Sequence, residues 1–231
     1  MPSLSAPRPL SRAGPKIAEV SAFDPWVGLQ LELCARFGMR PKEARHFRPH
    51  GAVIPCAAAI ARDADAFPEH ETFLRISHGT KGGRPRDVPI TSDAQRGLLA
   101  RLTEAVAPGM YVGRPGCTST QNSTRFYYVI RKFGISKDQL GVVAHGLRHQ
   151  HANDEYENTA GGPSRVRGGT GRPALDVEAR QRTARLLGHN RAGVVSCYIG
   201  SSLPTAGDGH FAAQPDGSFD GAAPQCEVGS K

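Results

Sequence analysis

The sequence predicts a mainly helical α+β fold with a small antiparallel β-sheet. Apolar residues recur at helical spacing in several stretches between residues 25 and 187. Two short strand-like runs, TFLRISH at 72–78 and RDVPI at 86–90, flank a glycine-rich turn and predict a β-hairpin. The 231 residues, 39% hydrophobic and 22% charged, have the composition of one ordinary soluble domain with a real core.

We expect this domain over residues 25–200, between two disordered tails. Residues 1–24 mix Pro, Ser, Ala and Arg without apolar periodicity, and residues 201–231 are mostly Gly, Ala, Pro, Ser and Asp. Residues 159–174 are rich in Gly, Pro and Arg, which predicts a loop insertion.

The first helices are predicted by the residues that begin and end them. A helix from Pro25 ends where Gly38 can adopt a left-handed C-terminal cap. Pro41 then occupies a first helical position, which predicts a short helix over 41–47 with Arg40 at the junction.

The remaining elements follow along the chain. Lys81 lies at the flexible tip of the predicted hairpin, and Ser92 with Gln95 resembles a capping box before LLARL. The four later helices are predicted at 93–106, 121–133, 145–157 and 175–187.

Charge and composition narrow the function classes. The formal net charge is +8, and residues 25–200 carry 25 Lys and Arg against 15 Asp and Glu, which favours a polyanionic partner although charge alone does not choose one. Without a long apolar run or an apolar signal core, we expect a cytoplasmic protein and no membrane partner. Five cysteines without a C-x-x-C pair argue against a disulfide framework and a zinc knuckle.

Several motifs occur in one order along the chain. They are GMRPKEA at 38–44, KGGRPRDVPI at 81–90, HGLRH at 145–149 and LLGH at 186–189, followed by a tyrosine nine residues after the last histidine. This set resembles the catalytic domain of the tyrosine recombinase, or phage integrase, family over roughly residues 25–200. Within the family, the chain is most similar to integrase-domain proteins of bacterial mobile elements, which implies a bacterial or phage-encoded, nucleoid-associated protein.

The resemblance implies cleavage of double-stranded DNA through a 3′-phosphotyrosyl intermediate, without metal, ATP or another cofactor. Synapsis in the family uses four protomers on two duplexes, so the resemblance also implies a homo-oligomer on DNA. The implied catalytic residues are Arg40, Lys81, His145, Arg148, His189 and Tyr198, with Glu43 supporting the first arginine. We expect DNA contacts from Arg84, Arg86, His149, Arg165 and Arg167.

These residue types also suit the chemistry. Two guanidinium groups and a histidine donor can stabilise the negative charge that develops on a phosphoryl group. A tyrosine with a reference pKa near 10 is largely protonated at pH 7 and needs a proton acceptor such as His145. A lysine on a mobile hairpin, Lys81, can protonate the departing 5′-oxygen.

Three other interpretations remain beside this one. A zinc site at His145, His149 and His151 is disfavoured, because the H-E-x-x-H glutamate is absent and Arg148 would lie next to the cation. His151 also lies off the helix face shared by His145 and His149, so we expect it to pack in the core. A dinucleotide fingerprint at 169–174 follows no strand. A DNA-binding module without recombination activity is the strongest rival, because only about 24 residues precede Pro25 and the family's separate core-binding domain is not among them.

Overall fold

Helices form most of the computed structural model, which describes residues 13–135, 144–169 and 173–201. The longer helices are α1 (Ala13–Phe23), α2 (Pro25–Phe37), α5 (Asp93–Ala105), α6 (Ser119–Lys132), α7 (Ala144–Ala160) and α8 (Pro173–Leu186). The shorter ones are α3 (Pro41–His46), α4 (Ala61–Ala64) and the one-turn helix α9 (Ser196–Ile199). The predicted mainly helical α+β fold is confirmed.

A three-stranded antiparallel sheet completes the fold, in the order β1 (Val53–Pro55), β2 (Thr72–Ile76) and β3 (Arg86–Pro89). The predicted hairpin is the β2–β3 pair, and the 3₁₀ turn Lys81–Gly83 joins its strands. Arg75 lies opposite Asp87 in this pair, and their side chains form an ion pair at 2.8 Å. The Arg75–Asp87 ion pair thus joins the two strands that flank the turn carrying Lys81.

Helix α2 is the centre of the main hydrophobic core. The side chain of Asp24 accepts a hydrogen bond from the backbone N–H of Val27, and Pro25 fixes the first turn. The helix ends at Gly38 with φ 58°, as its sequence predicts. Buried residues of α2 pack against α1, α5 and α7; they include Leu31, Leu33, Cys34 and Phe37.

Helix α1 corrects the prediction that residues 1–24 form a disordered tail. Residues 13–23 are helical, and Val20 is fully buried in the main core. Arg114 and Arg125 both pair with the carboxylate of Asp24, at the junction between α1 and α2. Residues 1–12 lie outside the described part of the chain.

A second, smaller core joins the C-terminal helices. It consists of Ala152, Tyr156, Ala160, Ala179, Ala184, Leu187, Val195, Tyr198 and Ile199. The small alanine side chains of α7 leave room for α9 to approach closely, which places Tyr198 next to α7.

The predicted insertion at 159–174 has different bounds. Its first two residues end α7, its last two begin α8, and a 3₁₀ turn forms at Arg165–Arg167. Residues 170–172 lie outside the described chain, as does the predicted tail beyond Ser201. No helix within the described ranges is long and apolar enough to cross a membrane.

Candidate active site

Arg148, near the start of α7, joins the ends of several helices. Its guanidinium is fully buried. One terminal nitrogen donates to the carbonyl of Gly38 after α2, and the other donates to the carbonyl of Leu187 after α8. The Nε of Arg148 lies 3.5 Å from the hydroxyl of Tyr198, at the long limit of a hydrogen bond. A single buried cation thus contacts the tyrosine that the motif order predicts.

Three histidine rings surround Tyr198, which is 6% exposed. The ring centroid of Tyr198 lies 4.5 Å from that of His149, 5.9 Å from that of His189 and 6.2 Å from that of His145. The sequence reasoning assigned His149 to DNA contact and did not predict its place beside the tyrosine. His149 follows His145 by four residues on α7, so both side chains lie on the same face of the helix, and this spacing was the signal that His149 lies beside Tyr198.

Glu43 holds two arginines beside this group. Its buried carboxylate accepts hydrogen bonds from Arg40 at 2.7 Å and from both terminal nitrogens of Arg86 at 2.8 Å. Burial raises the pKa of Glu43, but Arg86 and Arg40 outweigh this effect and lower the pKa to about 2. The carboxylate is therefore ionised at pH 7 and fixes both guanidinium groups.

The prediction that Arg86 contacts DNA is wrong, because the side chain is buried, with 3% exposed, and is paired with Glu43. Its methylene groups lie under Gly188, where an added Cβ would come within 2.8 Å of the Arg86 Cδ. Gly188 directly precedes His189 and has φ 71°. Arg86 therefore supports the backbone that carries His189.

Lys81 lies exposed on the turn between β2 and β3. The start of that connection approaches α3 closely, because a Cβ at Gly79 would lie 2.8 Å from the Lys42 carbonyl oxygen. After burial and Arg148, the positive charges of Arg40 and Lys81 also lower the pKa of His189, so both are near enough to act on it.

The histidines of this pocket are electrically neutral at pH 7. Burial first, then Arg148 and Arg40, lowers the pKa of His189 to about 4. Burial also lowers the pKa of His145 and of His149, with Arg148 adding to the effect in both. Within the described residues, the buried Nε2 of His189 has no hydrogen-bond partner, so the pocket holds an unused polar atom.

Arg148 remains a cation in this setting. Burial, Arg86 and Arg40 lower its pKa to about 10, which is still well above 7. Arg40, Arg86, Arg148 and Lys81 thus supply positive charge around Tyr198 and His189, with Glu43 as the carboxylate that balances part of it. Such a field favours an anion such as a phosphate group.

The remaining predicted DNA contacts have different surroundings. Arg84 is exposed beside Lys81, and Arg165 is exposed on the 3₁₀ turn before α8. Arg167 pairs with Asp154 and Glu157 of α7, so its guanidinium faces two carboxylates. His151, expected to pack in the core, is buried, and this expectation is confirmed.

The zinc interpretation finds no geometric support in the described chain. Among residues 13–135, 144–169 and 173–201, no three His, Cys, Asp or Glu side chains are arranged to hold a metal ion. The rings of His145 and His149 pack against each other and against Tyr198.

A sequence model of the family described as Integrase matches residues 13–154, more than half of the 231 residues. The chain belongs to the integrase family. The match extends from α1 into α7 and includes Arg40, Lys81, His145 and Arg148, but ends before His189 and Tyr198. No curated protein matches this integrase chain.

Membership of the integrase family confirms the predicted resemblance and connects the chain with DNA recombination and integration. It also implies DNA binding, for which the positive pocket around Arg148 is a suitable place.

Proposed function

We propose that this integrase cuts and rejoins DNA strands with Tyr198 as the nucleophile, without metal or ATP. The observation that carries the proposal is the position of the Tyr198 hydroxyl, 3.5 Å from the buried Arg148 cation and ringed by three neutral histidines. A tyrosine nucleophile needs both a nearby cation and a proton acceptor.

The chemical step exchanges one phosphoester for another. The Tyr198 oxygen attacks a DNA phosphorus and forms a 3′-phosphotyrosyl bond, while the bond to the 5′-oxygen breaks. His145, neutral at pH 7 because burial lowers its pKa, takes the phenol proton, with His149 beside it. Lys81 gives a proton to the departing 5′-oxygen, and a second DNA strand can then reverse the exchange.

Stabilisation of the phosphoryl group falls to fixed donors. Glu43 orients the Arg40 guanidinium as a donor before DNA binds, while Arg148, whose terminal nitrogens bind the Gly38 and Leu187 carbonyls, contributes its buried positive charge. The unpartnered Nε2 of His189 supplies a further donor when this nitrogen carries the proton. Preorganised donors of this kind typically contribute a factor of about 10² to 10³ each.

Adduct formation on DNA tests the proposal. Because the target sequence is unknown, the probe is a pool of labelled, nicked duplexes of randomised sequence, in which the strand released beside the nick diffuses away. We expect a protein–DNA band that survives SDS. Tyr198→Phe should abolish the band, because it removes the attacking oxygen and keeps the ring.

The matched control is Tyr127→Phe on α6, which removes a hydroxyl from a tyrosine that is 47% exposed. It should form the adduct at the wild-type level. An adduct that persists in Tyr198→Phe contradicts the assignment of the nucleophile. DNA binding without any adduct would favour a binding module that lacks recombination activity.

A further inference from the structure

The segment Pro163–Gly169, part of the predicted insertion, folds back on itself. The Ser164 carbonyl accepts hydrogen bonds from the backbone N–H groups of Arg167 and Gly169, both at 2.9 Å. An added Cβ at Gly169 would lie 1.7 Å from the Pro163 carbonyl oxygen, so only glycine fits there. The segment is therefore a defined turn of the chain.

Two side chains attach this turn to α7. Arg167 forms ion pairs with Asp154 at 2.6 Å and with Glu157 at 2.9 Å. Ser164 is 1% exposed, and its hydroxyl donates to the side-chain oxygen of Asn153. The attachment through Asn153 is buried, whereas Asp154 is partly exposed.

The attachment through Asn153 reaches Tyr198 directly. The Asn153 amide nitrogen donates to the Tyr198 carbonyl at 3.0 Å and to the His149 carbonyl at 2.7 Å. Since the Ser164 hydroxyl occupies the amide oxygen, the amide nitrogen is directed towards Tyr198. Ser164 thus sets the orientation of the group that holds the backbone of Tyr198.

The same turn also touches the residue that ends α9. Gly200 has φ 85°, and an added Cβ there would lie 3.0 Å from the Arg165 Cβ. On the other side, Arg180 of α8 donates to the Gly200 carbonyl at 2.9 Å and to the Ser201 carbonyl. Helix α9 is therefore held between α8 and the Pro163–Gly169 turn.

A four-residue helix is not stable by itself, because a single turn forms too few hydrogen bonds to offset its loss of conformational entropy. The position of the Tyr198 hydroxyl depends on these outside contacts. We propose that the Pro163–Gly169 turn is a clamp that positions Tyr198 against Arg148, with Ser164 as its positioning residue. This inference rests on the proposed function of Tyr198.

The test is Ser164→Ala, which removes the hydroxyl and adds no bulk. At saturating DNA, the rate of single-turnover adduct formation should fall about tenfold, which corresponds to about 1.4 kcal/mol in the activation barrier. The dissociation constant for DNA should change less than twofold, because Ser164 is buried and cannot contact DNA. In the free protein, hydrogen exchange of the Gly200 amide, which donates to the Ser196 carbonyl, should become about tenfold faster.

Ser123→Ala on α6 is the matched control and should leave the adduct rate and the Gly200 exchange unchanged. Unchanged Gly200 exchange in Ser164→Ala overturns the clamp, whatever the activity. Equal losses in DNA affinity, melting temperature and rate also overturn it, because they indicate general unfolding. If Gly200 exchange rises but the wild-type protein forms no adduct, the proposed function fails while the contact between the turn and α9 stands.

Discussion

Glu43 is the residue on which the arrangement of the candidate site depends most. It accepts hydrogen bonds from Arg40 and Arg86 and caps the backbone of α3, while its side chain is fully buried. Removing one member of a buried ion pair leaves an uncompensated charge, which is strongly destabilising. The acid that the motif reasoning treated as a supporting residue therefore fixes two cations.

Glu43→Gln should lower the free energy of unfolding by about 3 kcal/mol at pH 7. The pKa of Glu43 is about 2 in the folded chain and near 4.5 in the unfolded chain, because Arg86 and Arg40 stabilise the folded carboxylate. Between these pH values the unfolded state binds more protons, so the contribution of Glu43 is present above pH 4.5 and is lost as the pH falls towards 2. Urea unfolding at several pH values measures the gap between wild type and variant, which should shrink over this range.

The control is Glu104→Gln, at an exposed position of α5, which should change stability by less than about 0.5 kcal/mol at every pH. A wild-type advantage over Glu43→Gln that stays constant from pH 7 to pH 2 would contradict the role of the carboxylate charge.

Residue types and their order along the chain were enough to predict His145, Arg148, His189 and Tyr198 as members of one site, but not His149, which was expected to contact DNA. They were not enough to predict Arg86. In the run R-P-R-D, Arg84 and Arg86 look alike, yet Arg84 is exposed and Arg86 faces a buried carboxylate more than forty residues away along the chain. The partner of a buried cation depends on tertiary packing, which local sequence does not encode.

Among the elements, those with strong end signals were predicted well. Helix α2 has a proline at its start and a glycine at its end, and α5 has the predicted Ser92 and Gln95 capping box. Strand β1 was missed because it has only three residues and ends in Pro55. Helix α1 was missed because only three of its eleven residues, Ile17, Val20 and Phe23, are large and apolar, and its burial comes from packing on α2.

The connection between α8 and His189 depends on a glycine for two separate reasons. Gly188 has φ 71°, and a Cβ there would come within 2.8 Å of Arg86. Gly51 has a similar φ of 74°, but an added Cβ there would meet no other atom within 4 Å. Gly51→Ala therefore measures the cost of the backbone conformation alone. Replacing either by alanine strains the backbone by about 1 kcal/mol or more.

Gly188→Ala should therefore destabilise the protein more than Gly51→Ala, by about 1–3 kcal/mol, because the added methyl group must displace Arg86. The midpoints of urea unfolding for the two variants measure this difference. Gly188→Ala should also lower the adduct rate, since His189 follows directly, whereas Gly51→Ala should not. Equal destabilisation by the two substitutions would show that Arg86 yields freely and does not support the His189 backbone.

At the scale of the whole molecule, the polar side chains of the pocket come from the parts of the chain built on the two hydrophobic cores. Arg40 and Lys81 belong to the part built on α2 and the sheet, while His189 and Tyr198 belong to the part built on the second core. Arg148 contacts both parts through Gly38 and Leu187. In each chain, Tyr198 thus lies in the pocket of that same chain, and α7, α8 and the Pro163–Gly169 turn hold it there.

This geometry predicts that the nucleophile acts on DNA bound by its own protomer. Arg40→Ala leaves Tyr198 intact but weakens the pocket, and Tyr198→Phe leaves the pocket intact but has no nucleophile. If Tyr198 stays in its own pocket, a mixture of the two variants should form no more adduct with nicked DNA than Arg40→Ala alone. Size-tagged protomers, separated on a denaturing gel, show which chain carries the DNA. If the mixture instead recovers a large share of the wild-type adduct on the Arg40→Ala chain, Tyr198 of one protomer acts in the pocket of another. That result would contradict the prediction, and it would mean that the contacts of α9 with its own chain allow the exchange.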